Sequence, residues 1–92
     1  MAIRRRERLE VIYDFLSIVQ ENQGSIKKTP LLRKTNLSSQ SFLEYFDELI
    51  AKGFIREQED NKRNKFITLT DKGYRYISKF KQLAGFINEF GL

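Results

Sequence analysis

The sequence predicts an α+β fold, mostly helical, built from three helices, a β-hairpin and a long last helix. Three observations carry this reading. Apolar residues recur three or four apart in separate stretches, the spacing that lines one face of a helix. Two short β-prone runs between Gly53 and Thr70 flank a polar stretch that lacks any apolar residue. Residues suited to helix ends and turns fall at the junctions. A chain of 92 residues suffices for one compact domain, so the elements must share a core. Residues 1–70 are expected to form that domain and residues 71–92 a helix continuous with it, in a single structural unit.

In the first segment Leu9, Ile12, Leu16 and Val19 set the stripe of an amphipathic helix, widened by Val11, Phe15 and Ile18. It should close at Asn22-Gln23-Gly24, where glycine can take the left-handed conformation. Ser25-Ile26-Lys27 reads as a short extended piece at most. Thr29-Pro30 suggests a helix cap followed by proline in the first helical position, opening a second helix that carries Leu31 and Leu32 inward and runs to about Thr35. Asn36-Leu37-Ser38 reads as a turn and a fresh cap. The third helix then starts near Ser38 or Ser39, with Phe42, Phe46, Leu49 and Ile50 on its apolar face, Leu43 alongside, and Gly53 closing it. Phe54–Glu57 and Phe66–Leu69 read as the strands of a hairpin, with Ile55, Ile67 and Leu69 facing the core. Thr70-Asp71 caps a last helix of about 20 residues, roughly 30 Å long.

Composition narrows the function. Hydrophobic residues make up 40% and charged residues 32%, so the chain has the apolar content to fold. Eight Phe and four Tyr supply much of the core volume or an interface. Lys and Arg outnumber Asp and Glu by 17 to 12, a net charge of +5, which favours a polyanionic partner. The sequence has no Cys and no His, which removes disulfides, thiolate metal sites, the commonest zinc ligand and the commonest general base. Neither an enzyme nor a cofactor is therefore expected. Paired acids such as Glu44 and Glu48 are no substitute, because exposed carboxylates keep ordinary acidity without burial or a metal. No stretch resembles a signal peptide or a membrane span, so no membrane partner is expected and the compartment is expected to be the cytoplasm, on the nucleoid if the chain binds DNA.

The order helix, helix-turn-helix, hairpin, helix becomes specific at Leu49-Ile50-Ala51-Lys52-Gly53-Phe54-Ile55 and at Ile67-Thr68-Leu69-Thr70-Asp71-Lys72-Gly73. Gly53 permits the turn into the strand, Ile55 and Leu69 pin the hairpin, and Thr70 caps the helix. Over roughly residues 7–77 these motifs resemble the winged helix-turn-helix regulator family. The long last helix after so small a domain is similar to archaeal winged-helix chromatin and regulator proteins that dimerise through a C-terminal coiled coil. The resemblance implies double-stranded DNA as partner, with helix 38–52 in the major groove and the wing, residues 58–65, on backbone or minor groove.

Candidate DNA contacts follow from that placement. Gln40, Ser41, Glu44 and Glu48 lie opposite the apolar stripe at roughly 100° per residue. With Ser38 and Ser39 at the start of the helix, Gln40 can read adenine, Ser41 a base or a phosphate, Glu44 cytosine, and Tyr45 a phosphate from the flank. Each is equally readable as a solvated polar residue. Glu44, Asp47 and Glu48 against Lys52 make this helix acidic, so phosphate affinity must come from elsewhere. Three basic groups are available: Arg4, Arg5 and Arg6 with Arg8; Lys27, Lys28, Arg33 and Lys34 around the second helix; and Lys62, Arg63 and Lys65 on the wing. Modest sequence discrimination and steep salt dependence are the expectation. The acidic helix favours the alternative function, a winged-helix protein-interaction module without direct DNA binding.

In the last helix Tyr76, Phe80, Leu83, Ile87 and Phe90 alternate steps of four and three, the spacing of a coiled-coil seam, and are expected to form a homodimer interface. Tyr74, Ile77 and Ala84 lie off the seam and can pack back onto the domain. The competing reading folds the whole helix onto its own core. The apolar run Phe86 to Leu92 argues for association. The family resemblance implies an antiparallel pair.

Overall fold

A computed structural model describes the backbone of residues 2–92, with side chains from residue 7 onward. The elements are α1 (Ala2–Glu21), β1 (Ser25–Ile26), α2 (Lys28–Thr35), α3 (Ser39–Ala51), β2 (Ile55–Glu59), β3 (Lys65–Leu69) and α4 (Asp71–Glu89). This is the expected mostly helical α+β winged-helix architecture. The three strands form an antiparallel sheet in the order β1-β3-β2, so β2 lies on an open edge.

The turn after α1 uses two left-handed residues, Gln23 and Gly24, while Asn22 Nδ2 donates to the Ser25 carbonyl at 2.7 Å. The extended piece that follows is a true strand, with Ser25 paired to Thr68 and Ile26 to Ile67. That pairing moves the start of α2. Extended backbone ends at Lys27, which occupies the cap position without a side-chain bond, and the helix begins at Lys28 rather than after Thr29. Pro30 still falls in the first turn, where a missing N–H leaves no intrahelical bond broken.

Asn36, in the left-handed conformation, ends α2. Ser38 caps α3 by accepting from the Ser41 amide at 3.1 Å. Gly53 takes φ +77° after α3, and Thr70 accepts from the Gly73 amide to cap α4. The Thr70 hydroxyl also donates to the Gly53 carbonyl at 2.5 Å, which ties the start of α4 to the end of α3.

The core is Ile12, Phe15, Leu16 and Val19 of α1, Ile26 and Leu31, Phe42, Phe46 and Leu49 of α3, Ile55 and Ile67 of the hairpin, and Ile77 of α4. Phe15 stacks on Phe42 at 5.3 Å, and Arg8 reaches Glu48, so α1 and α3 run in opposite directions. Tyr76 donates to the Leu9 carbonyl at 2.7 Å and Tyr13 stacks on Phe80 at 4.5 Å, so α4 runs alongside α1 in the same direction. Leu43 is 44% exposed and Ile50 36%. Both lie at the margins of the Phe42, Phe46, Leu49 stripe, outside the arc that the core covers. Among the described residues, no helix is long and apolar enough to cross a membrane.

Candidate nucleic-acid interface

The start of α3 is presented by its cap. Ser38 spends its hydroxyl on the Ser41 amide, leaving Ser39, Gln40 and Glu44 exposed in the first two turns, with Ser41 and Tyr45 half-buried. Leu43 lies among these polar groups, an apolar member of the face that the helical pattern assigned to the core margin.

Glu48, expected with the outward group, is withdrawn from it. Its carboxylate pairs with Arg8 of α1 and accepts from Lys52 Nζ at 2.8 Å. The Lys52 hydrogen bond is the chief cause that holds this carboxyl below the usual range; Arg8 adds to it, and partial burial opposes it. Arg8 also sits over the Tyr45 ring, 5.8 Å from its centroid. The acidity of α3 that faces outward is therefore Glu44 and Asp47, both exposed.

The wing is organised by one acid. Asp60 Oδ1 accepts from the amides of Lys62 at 2.8 Å and Asn64 at 2.9 Å, and Oδ2 from Asn64 Nδ2 at 3.1 Å. These bonds, the Asn64 amide foremost, hold its carboxyl below the ordinary value, with the Lys27 ammonium contributing. Arg63 takes φ +64° in this turn. Lys62, Arg63 and Lys65 are all exposed. Asp60 thus shapes the loop that carries the cations. An Asp followed four residues later by Asn in a turn was the available signal.

Lys27 and Lys28 belong with the wing. Lys27 Nζ lies 6.0 Å from the Phe66 ring centroid, and Lys28 Nζ lies 4.3 Å from that of Phe46 on α3. The fold thereby brings the start of α2 against the wing and the apolar side of α3. Lys34 is elsewhere: it borders a groove against Asp14 and Glu21 of α1. Arg33 is exposed in the last turn of α2. The side chains of Arg4, Arg5 and Arg6 lie outside the described residues. Sequence reading did not group Arg8, Lys52 and Lys72, which the fold gathers around the end of α3. No spacing signals a cluster drawn from three helices.

Along α4 the expected seam divides. Tyr76 and Phe80 are half-buried and stack on each other at 6.2 Å, with Phe54 and Tyr13 completing the aromatic contacts against the domain. Leu83, Phe86 and Phe90 are exposed, Phe90 to 60%, and Ile87 is half-buried. Of the residues expected to pack back, Ile77 is buried and Ala84 half-buried, while Tyr74 is 43% exposed.

Comparison with known proteins matches this geometry. A family model described as winged helix-turn-helix matches residues 5–87. An uncharacterized protein of Methanocaldococcus jannaschii is 33% identical over 84 residues, covering 91% of this chain and 79% of its own. A winged-helix DNA-binding protein from STIV superposes with a TM-score of 0.68 at 22% identity, covering 77% of this chain and 83% of that one. Sso10a-2, a DNA-binding protein from Sulfolobus solfataricus, superposes with a TM-score of 0.70 at 16% identity, covering 89% and 82%. A MarR mutant from E. coli complexed with operator DNA gives 0.69 at 18% identity, covering 80% of this chain and 54% of the other.

Proposed function

Because the chain belongs to the winged helix-turn-helix family, we propose that it binds double-stranded DNA as a homodimer, with the start of α3 in the major groove and the wing on backbone or minor groove. The observation that carries this reading is the Lys27-Lys28 pair set against β3 of the wing and against α3, together with a cationic wing tip and with Ser39, Gln40, Leu43 and Glu44 exposed at the start of α3. The DNA binding stated for the STIV and Sulfolobus proteins, which share this fold, supports it.

Each group has a chemical task. Gln40 can pair with adenine, Glu44 can accept from cytosine, and Leu43 can meet a thymine methyl, while Ser39, Ser41 and Tyr45 reach phosphates or bases. Lys27, Lys28, Lys62, Arg63 and Lys65 neutralise phosphate charge, and Arg33 and the Arg4 to Arg6 cluster are further candidate phosphate partners. No Lys or Arg projects from the outward face of α3 in its first three turns, so affinity depends on the backbone more than on the bases. Such a binder suits a weakly selective architectural protein or a local transcription regulator. Leu83, Phe86, Ile87 and Phe90 supply the homodimer surface, with Tyr76 and Phe80 bracing α4 beneath it.

Fluorescence anisotropy with specific-candidate and random duplexes across a salt series tests this. Affinity should fall steeply with salt, and neutralising Lys62, Arg63 and Lys65 together should flatten the slope by about 0.9 for each phosphate left without its cation. Absence of binding at low salt would reject it. It would favour a protein-interaction module instead, a reading supported by the exposed acids Glu44 and Asp47.

A further inference from the structure

On the DNA-binding reading above, we propose that Arg8, although it belongs to α1, is a positioning residue for α3: it neutralises Glu48, so that the flank carrying Ser41 and Tyr45 can approach a phosphate backbone. Charge is what α3 must overcome. Between Ser38 and Lys52, the acids Glu44, Asp47 and Glu48 oppose only Lys52, and like charge brought up to phosphate lowers affinity. At roughly 100° per residue Glu48 falls on the same flank as Ser41 and Tyr45, one turn beyond Glu44. An unpaired carboxylate there would stand beside two of the candidate DNA contacts.

The fold silences this one acid of the three. Arg8 Nη2 and Lys52 Nζ both donate to the same oxygen, Oε2, of the half-buried Glu48. Lys52 lies four residues on along the same chain segment and is exposed, whereas Arg8 is delivered from another helix by the packing of Phe15 on Phe42. Arg8 Cζ also lies 5.8 Å from the Tyr45 ring centroid, which seats the guanidinium along the flank in question. A guanidinium suits this place better than an ammonium, because its edge can donate to a carboxylate while its plane lies over a ring. The carboxyl is held below its usual range, first by the Lys52 bond and then by Arg8, so its charge is hidden by pairing and not by protonation. Charge-assisted bonds of this kind are the strong ones. The rival role for an exposed arginine is direct phosphate contact, and charge repair separates the two.

The test is anisotropy titration of the full chain against a random duplex across a salt series. Arg8→Gln should weaken binding about fivefold at low salt, the order expected of one more uncompensated charge within a Debye length of phosphate. Its melting curve should stay close to that of the wild type, as for other exposed ion pairs. Adding Glu48→Gln to Arg8→Gln should restore the affinity. Adding Glu21→Gln instead, the same change of net charge placed at the opposite end of α1, should not. The logarithmic salt slope should be nearly unchanged in Arg8→Gln, whereas loss of a direct phosphate contact would flatten it by about 0.9. Undiminished affinity in Arg8→Gln, a loss that Glu48→Gln leaves unrepaired, or equal repair by Glu21→Gln would each overturn the role of Arg8 while leaving DNA binding in place. A wild type that binds no duplex at low salt would overturn the DNA-binding reading and this role together.

Discussion

At the wing tip one carboxylate accepts two backbone amides and a side-chain amide, and it does so in full exposure to solvent. Asp60→Ala should accordingly leave the global melting transition in place, as most surface changes do. It should nevertheless weaken DNA binding even though an acid has been removed, because the loop that holds Lys62 and Arg63 loses its shape. Anisotropy and melting curves on the same variant separate the two effects; unchanged or tighter DNA binding would refute the role. The sign of the pH effect follows from the depressed carboxyl. Tip order is complete above the ordinary value of 3.8 and is lost as pH falls through the lower folded value, so the Lys62 and Asn64 amide signals should shift together below pH 3.8. Two glycines of α4 make a second contrast. A methyl at Gly73 would collide with the Phe54 carbonyl oxygen, whereas Gly85 faces open space. Gly73→Ala should cost about 1–3 kcal/mol, and Gly85→Ala should stabilise by about 1 kcal/mol, both readable by denaturant melts. Ser38 and Thr70 were legible as caps because capping is local chemistry. The Arg8–Glu48 pair was not, since its partners are separated by 40 residues and meet only through the packing of α1 against α3.

Helical spacing identified the apolar stripe of α4 without saying what covers each part of it. Steps of four and three look the same whether the covering helix is α1 or a second copy. In the folded chain α1 takes Tyr76 and Phe80 and leaves Leu83, Phe86 and Phe90 exposed. This division predicts opposite phenotypes along one helix. Phe80→Ala should destabilise the fold by about 1–3 kcal/mol by removing ring stacking and burial. Leu83→Glu with Phe90→Glu should keep the helical circular dichroism of the fold and reduce the mass in solution to that of a monomer. A monomeric wild type, or an unchanged mass in the double variant, would refute the dimer surface. The start of α2 shows a related limit of sequence reading. Thr29-Pro30 is a sound local signal, but Ser25-Ile26 pairs with a strand some 40 residues later and sets where the chain must turn.

Taken whole, the molecule is elongated, 50 × 25 × 21 Å, and its cations fall into more than one group. One basic region joins Lys27 and Lys28 to the wing; the other gathers Arg8, Lys52 and Lys72 at the end of α3, near the base of the hairpin. The motif around Gly53 and Thr70 made the fold readable, because it joins α3, the hairpin and α4 within a short stretch of chain. The surface charge pattern was only half readable, because each region draws cations from elements distant in sequence. If the exposed end of α4 pairs two copies, the melting temperature should rise with protein concentration. A concentration-independent value would point to a stable monomer. The strand order has a further consequence for survival at high concentration. β2 is the longer of the sheet's two edge strands, and its outermost residues are Arg56, Glu57, Gln58 and Glu59, all exposed. Any foreign strand that tried to extend the sheet there would have to bring its own backbone alongside this row of charges, which guards against fibre growth from that side.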